Sequence, residues 1–231
     1  MVDEIYNTAI NKLQEQFELK DGRIPYLAKV EVPFYIREYV REGVIISKSP
    51  KLGGQLQAVL KKPVKKGDIM FICTEWPTIT RDRFSMQVDY LRNKTSYHLR
   101  SKGRLTSFLN HRCSSSKALN NELPLLIIRT IRNNDKTYSI VGFASYSISQ
   151  VEIKENRGVE LNFDYASNEI NLSYAKNLQC LCGLKKEYCR GTILGFADLS
   201  LEEQAFLLKE DIVSNHVRKY WESSVFPALS F

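Results

Sequence analysis

At 231 residues the chain is long enough for one domain with a sizeable core, or for one domain with helical additions. Hydrophobic residues at 43% and charged residues at 26% are ordinary for a packed soluble protein and exclude a disordered chain. The formal charge of +7 permits acidic partners, but lysine and arginine are dispersed rather than gathered in one arm, so composition defines no nucleic-acid footprint.

Met1-Val2-Asp3-Glu4 carries acidic residues where a secretory signal would be basic, and no apolar run approaches membrane-spanning length. The expectation is a protein made and folded inside a cell, without a membrane partner. Asp3 reads as the cap of a first helix reaching toward Asp21-Gly22, with Tyr6, Ile10, Leu13 and Phe17 recurring at helical spacing as a packing face. Pro25, Pro33 and the residues Val30, Val32, Phe34, Tyr35 and Ile36 suggest an extended region with turns.

Residues 44–47 (Val-Ile-Ile-Ser) predict a strand, and Leu52-Gly53-Gly54-Gln55 the turn after it; a plain hairpin turn and a close backbone approach to a ligand both account for the glycine pair. The apolar run 69–73 predicts a buried strand and makes Cys73 a core residue. Residues 83–89 alternate like another strand, whereas His98 sits in a polar stretch and reads as solvated. Two β-rich runs, 125–130 and 138–144, predict paired strands across the turn Asn133-Asn134-Asp135. In 158–165 an extended chain puts Val159, Leu161, Phe163 and Tyr165 on one face and Glu160, Asn162 and Asp164 on the other. Ser200-Leu201-Glu202-Glu203 has the form of a capping box opening a helix through Ile212, and a short helix after Ser214 takes in His216 and Trp221 as packing or surface residues.

The cysteines carry the chemistry. Cys180-Leu181-Cys182 is followed by Cys189 after six residues, and with no secretory signal a close C-x-C with a third cysteine nearby favours a metal over a disulfide framework. Cys113 completes a set of four thiolates for one tetrahedral zinc if the chain folds back from Asn110-His111-Arg112-Cys113; reduced structural cysteines are the alternative.

Asn110-His111-Arg112-Cys113, then Glu160-Leu161-Asn162-Phe163-Asp164-Tyr165, then Cys180-Leu181-Cys182-Gly183 with Cys189-Arg190-Gly191, resemble the ordered signatures of SET-domain lysine methyltransferases, the last pair resembling their post-SET zinc motif. The resemblance spans roughly 44–192, in the compact form without a pre-SET cysteine cluster. It implies a mostly β fold with accessory helices (α+β), built of small sheets with a pseudoknot. It implies an N-terminal helical and extended addition over 1–40, a SET-like domain over 41–175, a post-SET-like zinc motif over 176–195 and a C-terminal helical extension over 196–231.

The implied activity is methyl transfer from S-adenosylmethionine to a lysine amine of a protein substrate, histone or non-histone, with nucleic acid at most indirect. Tyr165 takes the place of the family's catalytic tyrosine, and Phe163 that of a residue that sets how many methyl groups are added. The resemblance implies that Asn110 and His111 contact the methyl donor and that Gly53-Gly54, standing where the family's G-x-G supplies backbone groups to it, does so as well, followed by Ala58 and Lys66-Gly67-Asp68-Ile69. Zinc on Cys113, Cys180, Cys182 and Cys189 is structural. The chain departs from the pattern at Ser115 and Ser116, where the family has proline and asparagine, and in its six-residue spacing from Cys182 to Cys189, where the family has four. A catalytically inactive SET-like module that binds a protein partner is the alternative function, and a zinc-stabilised nucleic-acid binder a third.

Overall fold

A computed structural model of the chain describes residues 2–17, 19, 23–24, 30–33, 35–49, 53–81, 85–90, 95–100, 102–115, 123–172 and 178–225. Asp21, Gly22, Pro25, Phe34, Leu52, Arg83, Phe84 and Ser116, used in the sequence reading, lie outside the described residues.

Helix α1 (Val2–Gln16) starts at Val2, so Asp3 lies within its first turn rather than capping it, and the helix closes at a turn on Phe17, short of the expected end. Its stripe packs as the spacing predicts, with Ile10, Leu13 and Phe17 buried against Ile127, Ile131 and Phe143. The Phe17 and Phe143 rings lie 4.8 Å apart. Gln14 fastens the helix through both ends of its amide, donating to the Gly67 carbonyl at 3.0 Å and accepting from the Ile69 N–H at 2.7 Å.

The strands are β1 (Glu38–Val40), β2 (Val44–Lys48), β3 (Leu56–Leu60), β4 (Ile69–Glu75), β5 (Ser85–Tyr90), β6 (Ser96–Arg100), β7 (Asn110–His111), β8 (Leu126–Arg132), β9 (Tyr138–Ala144), β10 (Val159–Glu160) and β11 (Asn162–Phe163). They form small separate sheets: an antiparallel four-stranded sheet in the order β1-β4-β9-β8, a three-stranded sheet β10-β3-β2, the hairpin β5-β6 and the parallel pair β7-β11. The mostly β class with accessory helices is therefore the observed one. Cys73 is a core residue, as its apolar run requires.

Two expectations about the strands need correction. The run 158–165 is not one strand: Glu160 pairs antiparallel with Val59, Asn162 pairs in parallel with Asn110, and Tyr165 opens a 3-10 turn. Its apolar face does meet the core, through Leu161 and Phe163, but the polar face is also buried, because Asn162 and Asp164 are enclosed by the chains they bond. His98 is buried, not solvated. It lies on β6 opposite Gln87, and its main chain exchanges hydrogen bonds with Thr78 on the other side, so it is a central residue between two partners.

Helix α2 (Gln150–Glu155) is opened by a capping box between Ser149 and Glu152 that the sequence reading did not single out. Helix α3 (Leu201–Lys209) carries the predicted box between Ser200 and Glu203 but stops before Ile212; Asp211 adopts φ 59°, a left-handed conformation that ends a helix. Helix α4 (Asn215–Val225) buries His216 against the sheet. Its Nε2 faces the Asn168 carbonyl at 2.6 Å and must donate, which leaves Nδ1 to accept from Thr130 Oγ1 at 3.2 Å in a neutral ring. Burial holds the His216 imidazole down at about 4.

A histidine depressed in this way favours the folded state above its unfolded value of about 6.5 and withdraws that support as pH falls toward the folded value. The expected outcome is a thermal midpoint that declines from pH 6.5 to pH 4. The decline should be shallower in His216→Gln, as read by paired melts of the two proteins across that range.

Candidate functional site

The site is built where β7 and β11 lie side by side. Asn110 stands opposite Asn162 and His111 opposite Phe163, and the Arg112 N–H continues the pairing to the Phe163 carbonyl at 3.1 Å. This brings the residues of two separate sequence signatures into register. Asn110 Nδ2 donates to Glu160 Oε1 at 2.6 Å, and Asn162 Oδ1 accepts from the Leu125 N–H at 3.0 Å, so both amides tie neighbouring chains together.

Tyr165 follows immediately. Its hydroxyl donates to the Leu109 carbonyl at 3.0 Å, its N–H donates to His111 Nδ1 at 3.2 Å, and its ring meets Phe163 and His111 with centroids 4.9 and 5.1 Å away. Because His111 Nδ1 accepts, the ring proton sits on Nε2, which faces Cys113 Sγ at 3.2 Å. Burial pushes the imidazole pKa down, against the pull of the Asp164 carboxylate, so the ring is a neutral connector between tyrosine and cysteine.

The four cysteines of the expected set converge. Their sulfurs all lie within 4.8 Å of one another, with Cys113 to Cys180 and Cys182 to Cys189 each at 3.6 Å. A disulfide needs about 2.05 Å, so these are thiols. Tetrahedral zinc with bonds of about 2.3 Å sets its sulfurs about 3.8 Å apart, and the observed spacing fits that group. The longer loop is accommodated by a turn in which Tyr188 and Cys189 both donate to the Lys185 carbonyl. The Gly191 N–H donates to Cys189 Sγ at 3.3 Å. Hydrogen bonds from Cys113 and Cys180 lower the Cys182 pKa, while hydrogen bonding with Cys180 and Cys182 raises that of Cys113. Cys73 stands apart, 3.1 Å from Arg104 Nη1.

The group that sequence reading missed is the pair Asp164 and Arg190. Arg190 donates from Nη1 and Nη2 to the two carboxylate oxygens of Asp164 at 2.9 and 2.7 Å, from Nη2 to the Ser114 carbonyl at 3.0 Å, and from Nε to Glu203 at 2.9 Å. Asp164 also accepts from the Ser114 and Ala166 N–H groups. Burial alone would raise the Asp164 carboxyl, but Arg190 outweighs it and holds the group below the usual carboxylate range. Both residues sit inside quoted signatures, Asp164 beside Tyr165 and Arg190 beside Cys189, and that adjacency was the available signal.

Gly53 and Gly54 lie at the β2–β3 turn with φ of 60° and 85°, where a hairpin turn accounts for them; a Cβ there would meet nothing within 4 Å. Among the described residues no hydrogen bond joins them to Asn110, His111 or Tyr165; Gly54 donates to Ser49.

No family model matches the chain, and no curated protein matches it. Among solved structures, KRYPTONITE in complex with mCHG DNA and SAH aligns at 18% identity and a TM-score of 0.46, over 67% of this chain and 29% of that one. The same protein with mCHH DNA, an H3(1-15) peptide and SAH aligns at 17% identity and 0.44, over 67% and 30%. A Plasmodium falciparum putative histone methyltransferase aligns at 16% identity and 0.35, over 54% of this chain and 93% of that one. The chain thus spans under a third of the KRYPTONITE chains.

Two outcomes follow from the geometry. Arg190→Ala leaves Asp164 buried without its partner and should cost about 3–5 kcal/mol in urea unfolding, whereas adding Asp164→Ala should recover part of that loss. For the metal, elemental analysis should find one zinc per wild-type chain, loss of zinc in Cys182→Ser and retention in Cys73→Ser; equal content in all three would remove the cysteines as ligands.

Proposed function

We propose that the chain is a SET-type methyltransferase that transfers a methyl group from S-adenosylmethionine to a lysine amine in a protein substrate. The observation that supports this most directly is the meeting of three signatures far apart in sequence: Asn110-His111 beside Asn162-Phe163, His111 against Tyr165, and Cys113 with the cysteines 67 or more residues later. In this reading residues 41–175 are the SET-like domain and 176–195 the metal loop.

S-adenosylmethionine, when bound, supplies a methyl carbon made electrophilic by its sulfonium. The chain's task is to present a neutral amine in line with that carbon, so positioning dominates. Tyr165 commits its hydroxyl proton to Leu109, which directs acceptor character of its oxygen toward an amine N–H. The Phe163, Tyr165 and His111 rings form an apolar wall that disfavours a protonated amine by desolvation. His111, Asn110 and the glycine turn at Gly53 and Gly54 are the proposed donor contacts. Cys113, Cys180, Cys182 and Cys189 would hold a structural zinc, since four thiolates leave it no open position.

A non-catalytic partner-binding module is the second reading, favoured by two commitments: Tyr165 is tied to a backbone carbonyl, and Asn110 to Glu160. Tyr165→Phe separates the two. It should keep thermal stabilisation by S-adenosylhomocysteine and lose about a hundredfold in methyl transfer to a labelled protein extract; wild-type turnover would sink the catalytic assignment. Mass spectrometry of the same products should show di- or trimethyl lysine from wild type and a shift toward monomethyl from Phe163→Tyr, with an unchanged distribution assigning the control elsewhere.

A further inference from the structure

A cleft of about 640 Å³ opens on the sheet β10-β3-β2, on the face opposite Ala58 and Leu60, which point into the core. Its volume suits a small organic ligand rather than a single ion. Its charge is lopsided. Lys48, Lys61, Arg112 and Arg157 border it against two carboxylates, Glu152 and Glu160. Both carboxylates are already engaged, Glu152 by the Ser149 N–H and hydroxyl at 2.8 and 2.7 Å and Glu160 by Asn110 at 2.6 Å. No ion pair among the described residues engages Lys48, Lys61 or Arg157; Lys61 Nζ donates to the Arg157 carbonyl, which holds these two cationic residues together at the rim. Cations gathered around a cavity with low-dielectric walls repel one another and focus a field that attracts an anion.

The floor supplies an independent observation. Gln57 is 9% exposed, lines this cleft, and its side-chain amide has no hydrogen-bond partner among the described residues. The amide is left to water or to a ligand in the cleft, and a ligand that offers both a donor and an acceptor can replace that water. An amide offers a donor and an acceptor together, the pattern that reads the edge of a heterocyclic base.

We propose that this cleft is a binding site for a phosphate-bearing nucleotide, its phosphates held by Lys48, Lys61 and Arg157 and its base edge by the Gln57 amide. The cleft adjoins the proposed methyl-transfer site, with Glu160 and Asn162 in its lining, but the nucleotide reading does not require that site to be catalytic. The test is calorimetric titration of the full chain at low salt with ADP, pyrophosphate and a single-stranded oligothymidylate. ADP should bind, and Lys48→Glu and Lys61→Glu should each weaken it by about tenfold. Gln57→Leu should weaken ADP while leaving pyrophosphate unchanged, and Lys12→Glu, on an exposed position of α1 outside the cleft, should change neither. Equal ADP affinity in Lys48→Glu, Lys61→Glu and Lys12→Glu, or no ADP binding at all, would overturn the site. Competitive displacement of ADP by S-adenosylhomocysteine would make the cleft the methyl-donor pocket and overturn it as a second site. Markedly tighter binding of the oligonucleotide than of ADP would replace the nucleotide with a nucleic-acid backbone.

Discussion

The bidentate contact between Asp164 and Arg190 is the interaction on which the rest of the site depends. Two charged groups removed from water are tolerable only when each donor and acceptor is matched, and here Asp164 meets Arg190, Ser114 and Ala166 while Arg190 meets Asp164, Ser114 and Glu203. Four stretches of chain are thereby fixed to one another: the segment after Cys113, the turn holding Tyr165, the loop of Cys189 and the first turn of α3. A hydrophobic pair of the same size could fill the space, but it would not dictate which backbone N–H groups face inward.

The cysteine cluster and this ion pair stabilise the same junction from opposite sides. Cys113 lies between His111, whose Nδ1 accepts from the Tyr165 N–H, and Ser114, whose N–H is bound by Asp164. A metal on the four sulfurs would therefore act on the aromatic wall through one or two covalent steps of chain, without touching it. The length of the loop from Cys182 to Cys189 matters little in such a design, because coordination constrains sulfur positions and the turn at Lys185 takes up the extra residues.

Charge is distributed with the same economy. The buried cations have matched partners: Arg129, almost wholly enclosed, donates to the carbonyls of Val213 and Asp211, which ties the strand β8 to the link between α3 and α4. Arg81 likewise meets buried Glu169. Among the described residues, exposed Lys48, Lys61 and Arg157 gather around the cleft over the three-stranded sheet.

Local pattern was enough to read the stripe of α1, the hairpin β8–β9, the capping box of α3 and the core position of Cys73, because each depends on neighbours within a few residues of one another. The resemblance to SET-domain enzymes singled out Asn110, His111, Phe163, Tyr165 and the four cysteines by residue type and order. What sequence could not contain was pairing. The alternation in 158–165 looks like one strand with a polar and an apolar face, yet Glu160 and Asn162 take different partners from different sheets, and Asn162 and Asp164 on the polar face are buried. His98 and Arg190 follow the same rule: a polar side chain is solvated or enclosed according to what lies across from it, and that is decided only when distant segments are brought together by the fold.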